Sequence, residues 1–207
     1  MKYKTPYYVI HKKELDDNLK KLKDALEKHW NNYIIGYSYK TNALPWVIKH
    51  FNSLGCYAET VSEDEYNLAK LVGVSKDKII YNGPIKTKET FIDAILNGCI
   101  VNIDSQREID WLDEIEEEKR LVGVRINFDI EKMCPGQSQC PADGGRFGFC
   151  YENGEFTKVI NVLHKKNVKI AGIHLHTSSK SRGLDIYRAI ASVACRVQKS
   201  MDWNLIM

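Results

Sequence analysis

The chain has 207 residues, a formal net charge of only +3, and 43% hydrophobic and 28% charged residues. These values are ordinary for one globular domain or a large piece of one, and the small, scattered positive charge argues against nucleic-acid binding. No apolar run is long enough to cross a membrane, and the first residues lack the apolar core of a signal peptide. Six cysteines at irregular spacing favour a reducing, cytoplasmic setting.

The first elements precede the repeating part of the sequence. Residues 5–11 are predicted to form a short strand, and residues 13–29 an amphipathic helix whose leucines share one face. The next strand, residues 33–40, alternates in side-chain character and ends on Lys40. A lysine on the polar face at the C-terminal end of a strand lies where an α/β barrel keeps its catalytic groups.

A βα unit then repeats with a period of roughly 20 residues. The predicted helices are 43–53, 63–72, 88–97, 106–118, 154–166 and 184–199, and the predicted strands are 56–61, 78–82, 100–104, 121–127 and 168–176. A longer irregular stretch, 128–153, interrupts the repeat. Capping boxes mark two helix starts, at Ser62 and at Ser105. Such a repeat predicts a parallel sheet, either an open sheet or a barrel.

Side-chain alternation along the strands favours the barrel. One face is apolar, and the other carries polar side chains that concentrate at the C-terminal strand ends. The polar set is Ser38, Lys40, Asn102, Asp104, Arg125, Asn127, His174 and His176. An open sheet covered by helices on both faces should be apolar on both, whereas the top of a barrel interior can be a polar site.

Several short motifs occur in an order and spacing that are specific in combination. They are Thr5-Pro-Tyr-Tyr-Val, Tyr37-Ser-Tyr-Lys-Thr-Asn42, Gly55-Cys-Tyr-Ala-Glu-Thr-Val-Ser62, Ile80-Tyr-Asn-Gly-Pro84, Asn102-Ile-Asp-Ser105, Val124-Arg-Ile-Asn127, Gly145-Arg-Phe-Gly148 and Gly172-Ile-His-Leu-His176. Together they resemble the alanine-racemase-like, fold-type III pyridoxal-phosphate enzymes. The resemblance is strongest to the branch of diaminopimelate, ornithine and carboxynorspermidine decarboxylases.

This resemblance implies an α/β fold, a partial TIM-like (β/α)8 barrel that binds pyridoxal 5'-phosphate and comprises about six βα units. Residues 1–29 would form a strand and helix that lead into the barrel, and residues 30–207 the incomplete barrel itself. The resemblance also implies that residues 202–207 open a seventh barrel strand and that a C-terminal β-domain is absent. We therefore expect the N-terminal part of a longer, homodimeric enzyme, with little or no activity alone.

The resemblance assigns roles to two residues at the cofactor ring and its Schiff base. Lys40 would form the internal Schiff base with pyridoxal phosphate, a role that requires an amine able to lose its proton. His176 would stack on the pyridine ring, and His174 is the better candidate for a satisfied core histidine.

Three further cofactor-binding residues are implied. Glu59 stands where the family usually has an aspartate near the Schiff base, and we rank it above Glu65, which a capping box explains. Arg125 would tune the ring, and it could also pair with Asp104 or Glu59. Ser179 would contact the phosphate, although a serine replaces the glycine that normally precedes it.

The function implied is a decarboxylase that acts on a basic or diamino acid. A racemase of the same fold type, a non-catalytic pyridoxal-phosphate barrel, and a barrel enzyme without this cofactor remain alternatives. Cys134, Cys140 and Cys150 lie in or beside the irregular stretch, and their spacing is poor for a metal site. We interpret them as free thiols in a loop on the substrate side.

Overall fold

The computed structural model describes residues 4–138 and 147–201 and divides the chain into two compact units. The first unit, which ends at Ile34, contains the long helix α1 (Lys12–Glu27). Ion pairs four residues apart, such as Lys12–Asp16, line its exposed face. The predicted strand 5–11 is wrong, because residues 4–11 contain no strand. A strand requires a neighbouring strand to pair with, and the described part of this unit contains no strand.

The second unit, which begins at Ile35, carries the βα repeat. Its strands are β1 (Gly36–Ser38), β2 (Tyr57–Ser62), β3 (Ile79–Ile85), β4 (Ile100–Ile103), β5 (Leu121–Asn127), β6 (Phe149–Cys150) and β7 (Lys169–Leu175). Its helices are α2 (Pro45–Ser53), α3 (Glu63–Leu71), α4 (Lys88–Leu96), α5 (Gln106–Trp111), α6 (Ile130–Met133), α7 (Glu155–Lys165) and α8 (Leu184–Ser200). The short elements β6 and α6 lie inside the stretch that was predicted to be irregular.

All strand pairs of this sheet are parallel, and their order is β1-β2-β3-β4-β5-β7, as the alternation of strands and helices predicts. The two-residue strand β6 pairs only with the end of β5. Gly148, just before β6, donates its N–H to the Asp104 carbonyl, directly after β4. Among the described residues no pairing joins β1 to β7, so the sheet is an incomplete barrel.

The apolar face predicted from side-chain alternation forms the core. Val101 and Ile103 on β4, and Val124 and Ile126 on β5, are at most 1% exposed. Tyr39, next to the site lysine, is buried with them. The opposite face is therefore the one that is free to carry polar groups.

Two elements are shorter than predicted by five residues or more. Strand β1 ends at Ser38, and a 3₁₀ turn, Tyr39–Thr41, follows it because the Thr41 hydroxyl donates to the Ser38 carbonyl (2.7 Å). Lys40 therefore lies on a turn beyond the strand. Helix α5 ends at Trp111. The acidic run after it, Asp113–Glu118, would be repelled by the negative C-terminal end of a longer helix, which disfavours continuation. No helix in the described ranges is long and apolar enough to cross a membrane.

Candidate active site

Four of the predicted site residues come together at the C-terminal ends of the strands. Lys40 follows β1, Glu59 lies on β2, Arg125 on β5, and His176 directly after β7. Burial lowers the pKa of His176 most, Lys40 and Arg125 lower it further, and Glu59 and Asp104 oppose them. Because such influences require proximity, these side chains lie near one another at these strand ends.

Arg125 is fixed by a buried ion pair. Its Nη1 lies 2.6 Å from Asp104 Oδ2, and the two side chains are 8% and 1% exposed. The other oxygen of Asp104 accepts the Gly148 N–H (2.9 Å), and the guanidinium lies over the Phe147 ring. Gly148 has φ +71°, and a Cβ there would lie 2.8 Å from Arg125 Cγ. Of the two predicted partners, the structure selects Asp104.

A line of side-chain hydrogen bonds crosses from β2 to β4. Asn82 donates its amide to Glu59 Oε1 (2.8 Å), and Asn102 donates its amide to Asn82 Oδ1 (2.7 Å). Asn82 is buried, with 6% of its surface exposed. The sequence placed Asn102 on the polar face, but Asn82 was missed, because its partners lie 20 or more residues away and depend on strand register.

A fully buried ion pair contacts the backbone of Asn102, and the sequence pattern did not predict it. Lys86 Nζ is 2.6 Å from Glu108 Oε1, and both side chains are 0% exposed. Lys86 also donates to the carbonyls of Gly83 and Asn102. Burial lowers the pKa of Lys86, and Glu108 opposes that shift. The capping box predicted at Ser105 is present, but it uses only the other oxygen of Glu108.

His174 is not the satisfied core histidine that was expected. Its Nδ1 is buried without a hydrogen-bond partner, and its ring lies 6.4 Å from that of His176. Burial, followed by the charge of Arg125, lowers the pKa of His174 to about 3. The ring is therefore neutral at pH 7.

Ser179 belongs to a different set of contacts. It forms an antiparallel bridge with Ser138, and its hydroxyl donates to the Ser181 carbonyl. Gln137 holds the same loop, because its side chain accepts the Ser181 N–H (3.0 Å) and its carbonyl accepts the Lys180 N–H (2.9 Å). No contact among the described residues links Ser179 to Lys40, so its role at the phosphate stays a prediction.

The described residues fit a polar, anionic cofactor. Ser38 Oγ, Arg125 Nε and His174 Nδ1 are buried polar atoms without partners on the polar face. Buried polar atoms are almost always hydrogen-bonded, so three such atoms on one face indicate a polar ligand. The exposed Lys40 adds an amine that can attach to an aldehyde.

The cysteines supply no metal site in the described ranges. Cys134 and Cys150 are free thiols, and no group of three or more potential metal ligands occurs among the residues whose positions the structure gives. Cys140 and the first two residues of the motif Gly145–Gly148 lie outside the described residues, as does the predicted strand opening at residues 202–207.

Comparison with known proteins agrees with the cofactor suggested by the geometry. Residues 13–205 match the family described as pyridoxal-dependent decarboxylase, pyridoxal binding domain. Diaminopimelate decarboxylase of Methanocaldococcus jannaschii is 31% identical over 189 residues, which are 86% of this chain and 43% of that protein. Diaminopimelate decarboxylase of Aquifex aeolicus is 28% identical over 95% of this chain and 47% of its own length.

Solved structures give the same relationship. The crystal structure of diaminopimelate decarboxylase from M. jannaschii superposes with a TM-score of 0.74 at 25% identity, covering 91% of this chain and 46% of that one. The lysine/ornithine decarboxylase from Vibrio vulnificus, at 20% identity and a TM-score of 0.67, supports the fold alone. The chain thus spans about half the length of the relatives it matches. It belongs to the pyridoxal-dependent decarboxylase family, in which it corresponds to the pyridoxal binding domain.

Proposed function

We propose that this chain is the cofactor-binding barrel part of a pyridoxal-phosphate-dependent decarboxylase that acts on a basic or diamino acid. The observation that carries the proposal is the meeting of Lys40, Glu59, Arg125 and His176 at the C-terminal strand ends, next to three unpartnered buried polar atoms. The names of the relatives, diaminopimelate decarboxylases, support this substrate class and favour a decarboxylase over a racemase.

Each site residue has a distinct part in holding the cofactor. Lys40 supplies the amine for covalent attachment, and Arg125 offers its free Nε–H from a position fixed by Asp104. The lowered pKa of His176 keeps its ring neutral, so the ring offers a flat surface and adds no charge. When bound, pyridoxal phosphate supplies the electron sink that loss of CO2 from an amino acid requires.

Covalent attachment at Lys40 is the direct test. We expect the chain to gain a visible absorbance band with pyridoxal phosphate, and borohydride reduction to label the peptide that contains Lys40. Lys40→Ala should lose both signals. Lys49→Ala, a change of an exposed lysine on α2, should keep both. Labelling at other lysines with no loss in Lys40→Ala would refute the site.

Turnover is a separate question, because the chain spans only 43% of the M. jannaschii relative. We propose that the remaining part and a second copy of the enzyme are needed for decarboxylation. The chain alone should release no CO2 from diaminopimelate or lysine above the rate of free pyridoxal phosphate. Full turnover by the 207 residues would contradict this proposal. A cytoplasmic location is proposed on the free thiols of the described cysteines.

A further inference from the structure

Glu59 is held at the site by a side-chain hydrogen bond from the neighbouring strand. It ends a line of three side chains, Asn102, Asn82 and Glu59, which we call the amide relay. The relay crosses β4, β3 and β2 in a single layer, and it ends opposite Ser38 of β1, the register partner of Glu59. The relay therefore spans the sheet from its middle to the strand that precedes Lys40.

Hydrogen-bond chemistry gives the relay one direction. An ionised carboxylate can only accept, so Asn82 must turn its NH2 group towards Glu59. Its oxygen then faces Asn102, which must in turn present its own NH2 group. The two hydrogen bonds thus fix the orientation of both amides, and neither amide can flip without breaking a hydrogen bond.

The far end of the relay is held by packing and by a buried ion pair. Asn102 Oδ1 lies against Gly123 so closely that a Cβ there would be 1.9 Å away. The backbone oxygen of Asn102 accepts from Lys86 Nζ (2.9 Å), which Glu108 holds in turn. Asn102 therefore has fixed backbone and side-chain positions from which to orient Asn82.

At the site end, one oxygen of Glu59 is used and the other is available. Oε1 accepts from Asn82, and no hydrogen bond to Oε2 occurs among the described residues. The charge of Glu59 acts on both His176 and Glu65, as does that of Lys40. Glu59 therefore presents one free acceptor oxygen beside the strand end that leads to Lys40, the amine that is proposed to hold the cofactor.

We propose that Asn82 is a positioning residue, and that the directional amide relay holds Glu59 at the cofactor site as an acceptor-only carboxylate. This inference rests on the proposed binding of pyridoxal phosphate at Lys40. Asn82 itself reaches the cofactor only through Glu59, whose free oxygen accepts a proton-bearing group of the bound cofactor or of Lys40.

The test replaces the donor in the hydrogen bond from Asn82 to Glu59 by an acceptor. Asn82→Asp keeps the shape of the side chain but places a second carboxylate against Glu59, where the two must repel or share a proton. The loss of one charge-assisted hydrogen bond should weaken pyridoxal-phosphate binding about tenfold or more at pH 8. The dissociation constant of the variant relative to that of wild type should decrease as the pH is lowered to 5, because the two carboxylates then share a proton. Binding is measured by absorbance titration at each pH.

Asn97→Asp provides a matched control. Asn97 also donates its amide to a carboxylate, Asp93 (2.9 Å), but at the end of α4 and away from Lys40. That variant should have the same affinity for the cofactor as wild type at every pH. An equal loss in both variants would show a general effect of added charge and would overturn the inference.

A double variant tests the direction of the relay. In Asn82→Asp/Glu59→Gln the new glutamine donates and the new aspartate accepts, so the hydrogen bond between the two positions is restored. The thermal midpoint of this double variant should therefore be closer to that of wild type than the midpoint of Asn82→Asp. Cofactor binding should stay weak, because the charge has left the site end of the relay. If both variants bind the cofactor like wild type, the relay has no such role. If the wild-type chain itself is not labelled at Lys40, the proposed function fails first.

Discussion

Replacing Lys86 by methionine should destabilise the protein more than almost any other single charge removal. The side chain is fully buried, and its Nζ is 2.6 Å from Glu108 Oε1. Methionine keeps the length of the stem but leaves that carboxylate oxygen without its cation, and it removes the donor to the carbonyls of Gly83 and Asn102. Removal of one partner from a buried ion pair typically costs about 3–5 kcal/mol.

That magnitude is a large share of the total stability of a domain, which is about 5–15 kcal/mol. Urea unfolding followed by circular dichroism measures it, provided that the slope with denaturant is unchanged. Lys88→Met is the matched control, because Lys88 pairs with Glu114 at 2.8 Å while both side chains are about half exposed, at 41% and 52%. An exposed pair of this kind contributes less than about 1 kcal/mol.

A second substitution separates the charge from the packing. Lys86→Met/Glu108→Gln removes the uncompensated carboxylate but keeps an oxygen to accept the N–H groups of Asp104 and Ser105. It should recover about 1–2 kcal/mol of the loss. If Lys86→Met were no more destabilising than Lys88→Met, the buried pair would not hold these strand ends together, and the reasoning would be refuted.

Two further predictions concern the polar face. The pKa of His174 is lowered to about 3, so the unfolded chain binds a proton between about pH 6.5 and 3 that the folded chain does not. The free energy of unfolding should therefore fall by up to roughly 1.4 kcal/mol per pH unit as the pH decreases through that window. His174→Gln should flatten this slope in urea titrations, whereas exposed His164→Gln should leave it unchanged. Gly123→Ala places a methyl group 1.9 Å from Asn102 Oδ1 and should lower stability by about 1–3 kcal/mol. Gly172→Ala, its register partner with nothing within 4 Å, should change stability by less than about 0.5 kcal/mol; equal effects would contradict the packing argument.

Side-chain alternation predicted the polar face but not how its members are paired. The βα repeat and the two-residue period placed Asp104 and Arg125 on the same face, and their ion pair was anticipated. Hydrogen bonds between residues 20 or more positions apart, such as Asn82 with Glu59, depend on the register between strands. Register follows from the assembled core and turns, so it is not visible in the pattern of one strand.

Two strands, β1 and β3, end at residues other than those predicted, and local interactions explain the difference. The alternating pattern runs through Lys40, but a hydrogen bond from the Thr41 hydroxyl closes a turn directly after Ser38. The predicted strand 78–82 stopped before Gly83-Pro84, which usually marks a break. In the structure β3 continues to Ile85, and Gly83 adopts φ +78° within it. Lys86 therefore follows a strand end, a position that the sequence pattern did not give it.

Two sets of interactions, which we call layers, meet at Asn102 on the polar face. The ion pair of Lys86 and Glu108 lies fully buried and acts on the backbone oxygen of Asn102, whereas Asn82 and Glu59 continue from its side chain. The hydrogen bond that links the buried pair to the relay goes to the backbone oxygen of Asn102, and strand pairing with β5 also holds that backbone in place. Substitution of Lys86 should therefore lower stability far more than cofactor affinity, and substitution of Asn82 should do the reverse. The two layers explain how one face can combine a rigid, charge-compensated interior with a carboxylate that remains available for chemistry.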